Sequence, residues 1–528
     1  MAENKNNLNI PKEKFAFVNQ GERLHDKKFD DKPIGYLKDA WIRFRKSKAS
    51  VVAAIIILCI IVYAVAAPFV ITEHSSTFMD SNYAKKAPRH MALREYGILD
   101  GGMERDFSEK GLIKAVAIGM AAEDPNGLGV TWAVGMESDY QPMLKIGEGF
   151  VTKAPGNKIS MNYPGRIDNY LEVGFMYRSV EQAEYYRIVE WQNETGIQVL
   201  YPLIEDNEWN LDVNDANNWY KAKKGYTPVY LDANGKAKEI TLADLEGGML
   251  LEDNYKRDAD GNVIDHEYTG GGTVDTAQFK IRVLYYNYYR YLYNSHPNYI
   301  MGTDSQGYDL ALRIAGGIMM SLKVAVFVCV INFILGAMYG AIEGYYGGTV
   351  DMVLERVSDI LANVPFIIVA TLFQLHLSAK LGALPCLLFA YVVTGWIGTA
   401  SRVRTQFYRF KNQEYVMAAR TLGARDARII WKHIFPNTLG TLITSVSLSI
   451  PATIMSESML SFLGIVKLGT AESTSLGTLL SDASSIWTNY PHLMVFPALV
   501  ISLMMICFNL FGNGLRDAFN PALRGVED

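Results

Sequence analysis

Cysteine is scarce: the 528 residues include four. Cys59, Cys329, Cys386 and Cys507 all lie in apolar stretches, where they read as small core residues, and their spacing fits no metal-binding pattern. The polar stretch 72–300 has none, so a domain there must fold without disulfides, which a segment of about 230 residues can do by burying its own core. No Gly-x-x-x-x-Gly-Lys-Ser/Thr phosphate loop occurs, so ATP chemistry has to come from a partner. Nucleophile motifs and His/Cys/Asp constellations are missing too, which argues against a membrane enzyme. No internal repeat or low-complexity tract stands out, and nothing points to nucleic acid. A cleavable leader is not expected, because the first 40 residues are polar and charged and the first apolar run starts at Val51.

What the sequence does have is segregation. Residues 51–71 and 314–513 are largely apolar, whereas 72–300 are polar and rich in Tyr, Gly and Asn, with 34 acids against 23 Lys and Arg. The run from Val51 is about 20 residues, enough for a helix to cross a hydrocarbon core of ~30 Å. Arg43, Arg45, Lys46 and Lys48 precede it, and basic flanks stay in the cytoplasm, so the N-terminus is expected inside. Five more spans are expected near 314–341, 357–377, 381–400, 438–464 and 493–513. Alternation then places 342–356, 401–437 and the C-terminus inside, and 72–313 and 465–492 outside. The segment Arg402–Lys432, with eight bases and two acids, falls inside as the charge rule demands, and so does the tail with Arg516 and Arg524.

The expected fold is therefore an α-helical polytopic membrane protein of six transmembrane helices with an inserted extracellular α+β domain. Its parts are a cytoplasmic segment 1–50, a first transmembrane helix 51–71, the insert 72–300, a five-helix core 301–515 holding the cytoplasmic loop 401–437, and a cytoplasmic tail 516–528. Gly316, Gly317, Gly336 and Gly340 are expected to allow close helix approach. In the insert, Ser179–Gln192 has helical spacing and a capping-box pattern opening at Ser179, and Asn234-Gly235 signals a hairpin. Asp258–Asn262 resembles a calcium loop but lacks the remaining ligand spacing, so a solvated turn is the better reading. Tyr285, Tyr286, Tyr288, Tyr289, Tyr291 and Tyr293 crowd together before the second span and read as an interfacial belt, with a peptide-stacking surface as the other reading.

The functional signal lies in the basic loop, from Glu414-Tyr-Val-Met-Ala418-Ala419-Arg420-Thr-Leu-Gly423 through Arg428 to His433-Ile-Phe-Pro436-Asn437. It reads as a short amphipathic helix, a Gly break and a second basic helix ended by Pro. Ala418 and Ala419 offer a narrow face that can enter a groove on another protein, Gly423 accepts positive φ, and Pro436 suits the first turn of the next membrane helix. A rigid knob between two spans can pass motion from a soluble motor to a pore. For any one basic residue, a solvated face or a lipid-headgroup contact is an equally good reading.

This loop resembles the EAA coupling motif of bacterial ABC importer permeases, closest to the oligopeptide and dipeptide branch, where Glu-[Phe/Tyr]-Val-x-Ala-Ala-Arg-x-Leu-Gly…His-Ile-x-Pro-Asn is typical. Within it the chain resembles the C-type permease. His296-Pro297, Gly302–Asp309, Gly344–Gly348 with Asp351, Arg356, Asp359 and Pro365, Glu457–Gly464, and Gly514–Asp517 with Pro521–Arg524 extend the likeness over 36–71 and 296–525. Met417 stands where the general motif has its first Glu, Tyr308 where Arg is usual, and the insert far exceeds the family's modest outer loop. The resemblance implies a type I ABC importer permease core in the bacterial cell membrane. It implies a second homologous permease, two cytoplasmic ATPases using ATP and Mg, an extracellular substrate-binding lipoprotein and surrounding membrane lipid as partners, with no cofactor or metal bound by this chain. Glu414, Ala418, Ala419, Arg420, Gly423 and Arg428 are then the ATPase-coupling candidates.

For a substrate pathway the candidates are Glu457, Asn332 and Asn363, since polar groups inside a membrane are costly and face a cavity or partner; His376 has similar standing. For Glu457 a structural hydrogen bond to a neighbouring helix is the competing reading. Nickel chelates, haem or other small solutes are alternative cargoes, and a membrane-anchored extracellular binding or sensing protein is the alternative class, which the intact loop argues against.

Overall fold

The computed structural model describes residues 36–71, 74–123, 142–154, 158–205, 215–217, 220–221, 252–270, 277–469 and 474–519. The Asn234-Gly235 hairpin signal and Pro521–Arg524 lie outside these residues.

Helix α1 (Tyr36–Lys46) leads into α2 (Lys48–Val70), the first candidate span. Small residues Ala53, Ala64 and Ala67 are buried on α2, while Val52, Ile55, Leu58 and Phe69 are exposed, as a helix facing lipid requires. Phe44 and Ala40 of α1 pack on the far end of the last helix, against Ala518 and Phe511.

The insert opens with α3 (Met91–Arg94), β1 (Gly102–Ser108), α4 (Glu109–Glu123), β2 (Met143–Ile146), β3 (Phe150–Ala154) and β4 (Lys158–Asp168). Antiparallel β4 is central here: β1 pairs along one edge, from Gly102↔Asp168 to Ser108↔Asn162, and β2 and β3 also pair with it. Leu112, Ala115 and Ile118 of α4 cover Phe107, Met161 and Tyr163 to form the first core. Next come β5 (Phe175–Glu181), α5 (Gln182–Thr195), β6 (Leu200–Tyr201), β7 (Tyr220–Lys221), β8 (Glu252–Asp253), β9 (His266–Gly270), β10 (Gln278–Leu284) and α6 (Tyr285–Tyr293). Strand β10 pairs with β5, β6 and β9, and its fully buried Ile281 and Val283 join Tyr185 and Ile188 of α5 in the second core.

Two expectations need correction here. Ser179 is inside β5, paired with Lys280, so α5 starts at Gln182 and the capping box does not form; the strand partner outcompetes the local cap. Four of the six tyrosines of α6 are core rather than belt: Tyr285, Tyr286, Tyr288 and Tyr289 are buried among other aromatic rings, whereas Tyr293 is exposed. At Asp258–Asn262 the Asp258 carboxylate accepts from the backbone of Asp260 and Asn262, at 3.0 and 2.8 Å, closing a turn.

The bundle follows: α7 (Leu310–Tyr346), α8 (Gly348–Ala362), α9 (Phe366–Leu381), α10 (Ala383–Thr394), α11 (Ile397–Phe410), α12 (Glu414–Thr421), α13 (Asp426–Arg428), α14 (Phe435–Phe462), α15 (Leu476–Ala483) and α16 (His492–Phe519). Among the described residues, five helical stretches are long and apolar enough to cross a membrane, α2, α7, α10–α11, α13–α14 and α16, and there are six if the bent pair α8–α9 is one broken span. That pair breaks by 70° at Asn363–Pro365, in the middle of the expected span 357–377. Pro365 has no N–H and disfavours helical backbone at the residue before it, so the chain turns there.

Helices α7 and α11 approach closely. Ideal Cβ atoms at Gly336, Gly340 and Gly344 would lie 2.7, 2.2 and 2.8 Å from backbone oxygens of Trp396, Ala400 and Arg404, so only glycine permits this approach. Gly317 likewise admits Leu476 of α15, whereas Gly316 faces open space. The segment after α14 does not simply loop: α15, N-capped by Ser475, packs on α7, α14 and α16 through Leu476, Leu479 and Ala483.

Candidate functional site

Helix α11 runs through to Phe410, so the projecting part of the basic segment is 411–425 with α12 at its tip. Gln413 starts α12, and Gly423 ends it at φ +80°, with Gly423 N–H bonded to Arg420 O (3.0 Å) and Ala424 N–H to Ala419 O (3.1 Å). These two bonds form a Schellman closure, and its left-handed residue is the physical reason for glycine at 423. The return limb differs from the expected helix ended by Pro. A short π-helical stretch, Ile429–Ile434, carries the chain from α13 into α14 without a break, and Pro436 sits in the first turn of α14.

The knob stands on an apolar cushion. Val416, Ile429 and Ile434 are fully buried with Val403 and Phe407 of α11 and Tyr345 of α7. Ala419 points into this cushion, 9% exposed, whereas Ala418 faces out, so the pair divides its work rather than forming one face. Arg420 donates to the Tyr345 hydroxyl at 3.4 Å, and that hydroxyl donates to Asp426 at 2.5 Å, tying α12 to α7 and α13. Glu414, Gly423 and Arg428 are exposed. The outward surface holds apolar side chains that the sequence reading passed over: Leu422 is 88% exposed, Met417 54%, and Tyr415 and Trp431 are also exposed. Their alternation with buried Val416 and Ala419 along α12 was the available signal.

Beneath the knob, Arg404 of α11 clamps α8: it holds Asp351 at 2.5 and 2.8 Å and Glu355 at 2.9 and 3.1 Å. Tyr408 adds a bond to Asp351 at 2.7 Å, and Lys411 donates to Gly344 O at 2.9 Å. Arg356 and Asp359 pair with each other at 3.2 Å on the exposed side of α8.

Between α7, α10, α11 and α14 lies a cleft of about 260 Å³, lined by Cys329, Asn332, Tyr391, Ser449, Thr453 and Ser456 among others. Of the three pathway candidates, Asn332 lines it. Glu457 is fully buried on another side of α14, accepting from Ser321 of α7 (2.9 Å) and Ser461 (3.0 Å). Asn363 is exposed at the α8–α9 break, donating to Asp359 O, and His376 is exposed on α9. The hydroxyl set was missed, although Ser449, Thr453 and Ser456 recur at i, i+4 and i+7 and so share one helix face.

At the other end of α7, the Gly302–Asp309 segment folds into a tight loop. Asp304 accepts three backbone N–H bonds, from Gln306, Gly307 and Tyr308, each 2.9 Å. Asp309 caps α7 at Ala311 N–H, 2.8 Å. Tyr308 does not cost the loop an ion pair: Arg313, one turn into α7, reaches Asp304 at 3.2 Å and stacks over the Tyr308 ring.

The sequence model of the family described as "Binding-protein-dependent transport system inner membrane component" matches residues 333–525, and that of the "N-terminal TM domain of oligopeptide transport permease C" matches 35–88. The dipeptide transport system permease protein DppC of Bacillus subtilis is 40% identical over 225 residues, 42% of this chain and 68% of that one. The oligopeptide transport system permease protein OppC of the same organism is 39% identical, over 42% of this chain and 72% of its own length. The OppC of Haemophilus influenzae is 41% identical, covering 42% and 70%. The chain belongs to this permease family, as a C-type member. The permease is a non-catalytic, multi-pass membrane subunit, and ATP hydrolysis in such transporters is done by partner ATPases. Between the two matched stretches lie residues 89–332, which hold the three sheets of the insert and most of its Tyr-rich core.

Proposed function

We propose that this permease forms half of the translocation pathway of an ATP-driven importer of oligopeptides or dipeptides in a bacterial cell membrane. The names of its relatives, dipeptide and oligopeptide transport permeases, support that cargo. Its partners are a second homologous permease, two ATPases that use ATP and Mg, and an extracellular substrate-binding lipoprotein. Both termini and the knob are cytoplasmic, in keeping with eight bases against two acids over Arg402–Lys432. The insert is extracellular and docks the lipoprotein; its size and its 34 acids against 23 bases suit a partner surface.

The observation that carries this reading is the knob: exposed Met417, Ala418 and Leu422 ride on α12, whose inner face is packed onto α7, α11 and α14. Closure of an ATPase pair gripping the outer face would therefore move membrane helices rather than a slack loop. Gly423→Pro tests it, because Pro cannot adopt φ +80° and lacks the N–H given to Arg420. Ala419→Arg forces a charge into the cushion. Both variants should reach the membrane yet lose ATP-dependent peptide uptake; normal uptake in both would refute the coupling role. Protease added to intact protoplasts should cut within 72–300 and spare 411–425.

A further inference from the structure

None of the side chains lining the cleft between α7, α10, α11 and α14 is charged. Its polar groups are an amide, hydroxyls and a thiol, and the protons of the three α14 hydroxyls are already committed. Ser449 donates to Val446 O (2.7 Å), Thr453 to Ser449 O (2.9 Å) and Ser456 to Thr453 O (3.0 Å). A hydroxyl that gives its proton to its own helix keeps lone pairs to offer. Asn332, 8% exposed and one of the lining residues, adds a buried side-chain oxygen that has no hydrogen-bond partner. Gly395 opposite makes the room, since a Cβ there would lie 2.2 Å from the Asn332 amide nitrogen. Tyr391 braces the far wall by bonding Ser456 at 2.5 Å. A buried acceptor left unpaired costs free energy that a visiting donor recovers.

We infer that this cleft is an uncharged, acceptor-lined station that takes the backbone N–H groups of a passing peptide, with Asn332 as its anchor. The inference rests on the peptide reading above and deepens it. Backbone N–H groups are common to all peptides. A wall without charge neither traps one class of side chain nor expels another, as a fixed charge in a low-dielectric site would. Neutral hydrogen bonds are also weak enough to release what they hold, which conduction through a pore requires.

The test uses the whole transporter, with partner permease, ATPases and binding protein, in proteoliposomes. ATP-driven uptake of Ala-Ala-Ala, Ala-Lys-Ala and Ala-Glu-Ala is measured for Asn332→Leu, Asn332→Asp and Thr453→Val. Asn332→Leu and Thr453→Val should each lower uptake of all three peptides by a similar factor, about tenfold for Asn332→Leu. Asn332→Asp, which keeps the shape, should raise the Ala-Lys-Ala to Ala-Glu-Ala uptake ratio at least tenfold. Unchanged uptake in Asn332→Leu, or a loss confined to one peptide, overturns the inference. If Asn332→Leu does not assemble, an unshifted ratio in Asn332→Asp overturns it alone. Failure of the unaltered transporter to carry any of the three peptides would instead bring down the peptide reading itself.

Discussion

The two ends of α7 are built to opposite designs. At its C-terminal end, the knob has an inner face sealed by Val416, Ile429 and Ile434 and an outer face left bare, with Leu422 almost fully exposed. At its N-terminal end, the joint to the insert is closed on itself. His74, just beyond α2, hydrogen-bonds Tyr289 at 2.5 Å, stacks on Tyr299 and lies 3.6 Å from Asp309, the cap of α7. Tyr285 bonds Asp80 at 2.5 Å, Tyr170 bonds Ala87 O at 2.9 Å, and fully buried Arg89 bonds Tyr286 at 3.0 Å beside Asp168. An apolar surface without a cover is a site for a partner, whereas a buried, interlinked set of aromatic rings and ion pairs inside a core is a structural device. Substitutions at the knob should therefore act on transport, and substitutions at the joint on folding.

The sharpest way to break this contrast is Arg89→Leu. Removing one member of a buried ion pair leaves Asp168 with the partly exposed Arg94 (3.4 Å) as its ion-pair partner and costs about 3 kcal/mol. The insert should then be digested by protease at denaturant levels where the unaltered protein is intact. If the joint is instead loosely held, resistance will not change. Burial raises the hydroxyl pKa of Tyr83 and Tyr170 beside it, so these rings stay neutral throughout the range of such an experiment.

At the knob, Leu422→Asp should show the reverse pattern. Stability should stay within about 0.5 kcal/mol, because the side chain touches little. Uptake should fall about tenfold, equivalent to ~1.4 kcal/mol of lost coupling. A stability loss with uptake intact would mean that the exposed face has no partner.

The smallest effect is at Lys86 in the joint, where burial pushes the ammonium down to about 8 from 10.5 against the opposing pull of Asp168. Between pH 8 and 10.5 the unfolded chain holds a proton that the folded chain has released, so this residue makes stability rise with pH across that window. Below pH 8 both forms are charged and the burial penalty is present in full. Lys86→Met should flatten the slope, measured as the difference in melting temperature between variant and parent from pH 7.5 to 10.5; parallel curves would place Lys86 in water.

Much of this was legible in one dimension. Long apolar runs located the candidate spans, because a hydrocarbon layer admits only segments that satisfy their own backbone. The loop motif located the knob, and positive φ at Gly423 follows from the residue type. The Ser179 cap and the tyrosine belt went astray for a shared reason: a strand partner at Lys280 and a ring of distant aromatics overrode local preference.

The sequence by itself thus determined the membrane body, its punctuation and its family, since these rest on periodicity, charge and short-range turn chemistry. Only the tertiary structure decided which of two adjacent alanines is exposed, that Glu457 is spent on Ser321 while Asn332 lines a cleft, and that most of a tyrosine cluster is core. Those outcomes depend on which side of a helix meets another helix or a segment distant in the chain, and no local pattern encodes the angle at which two helices cross.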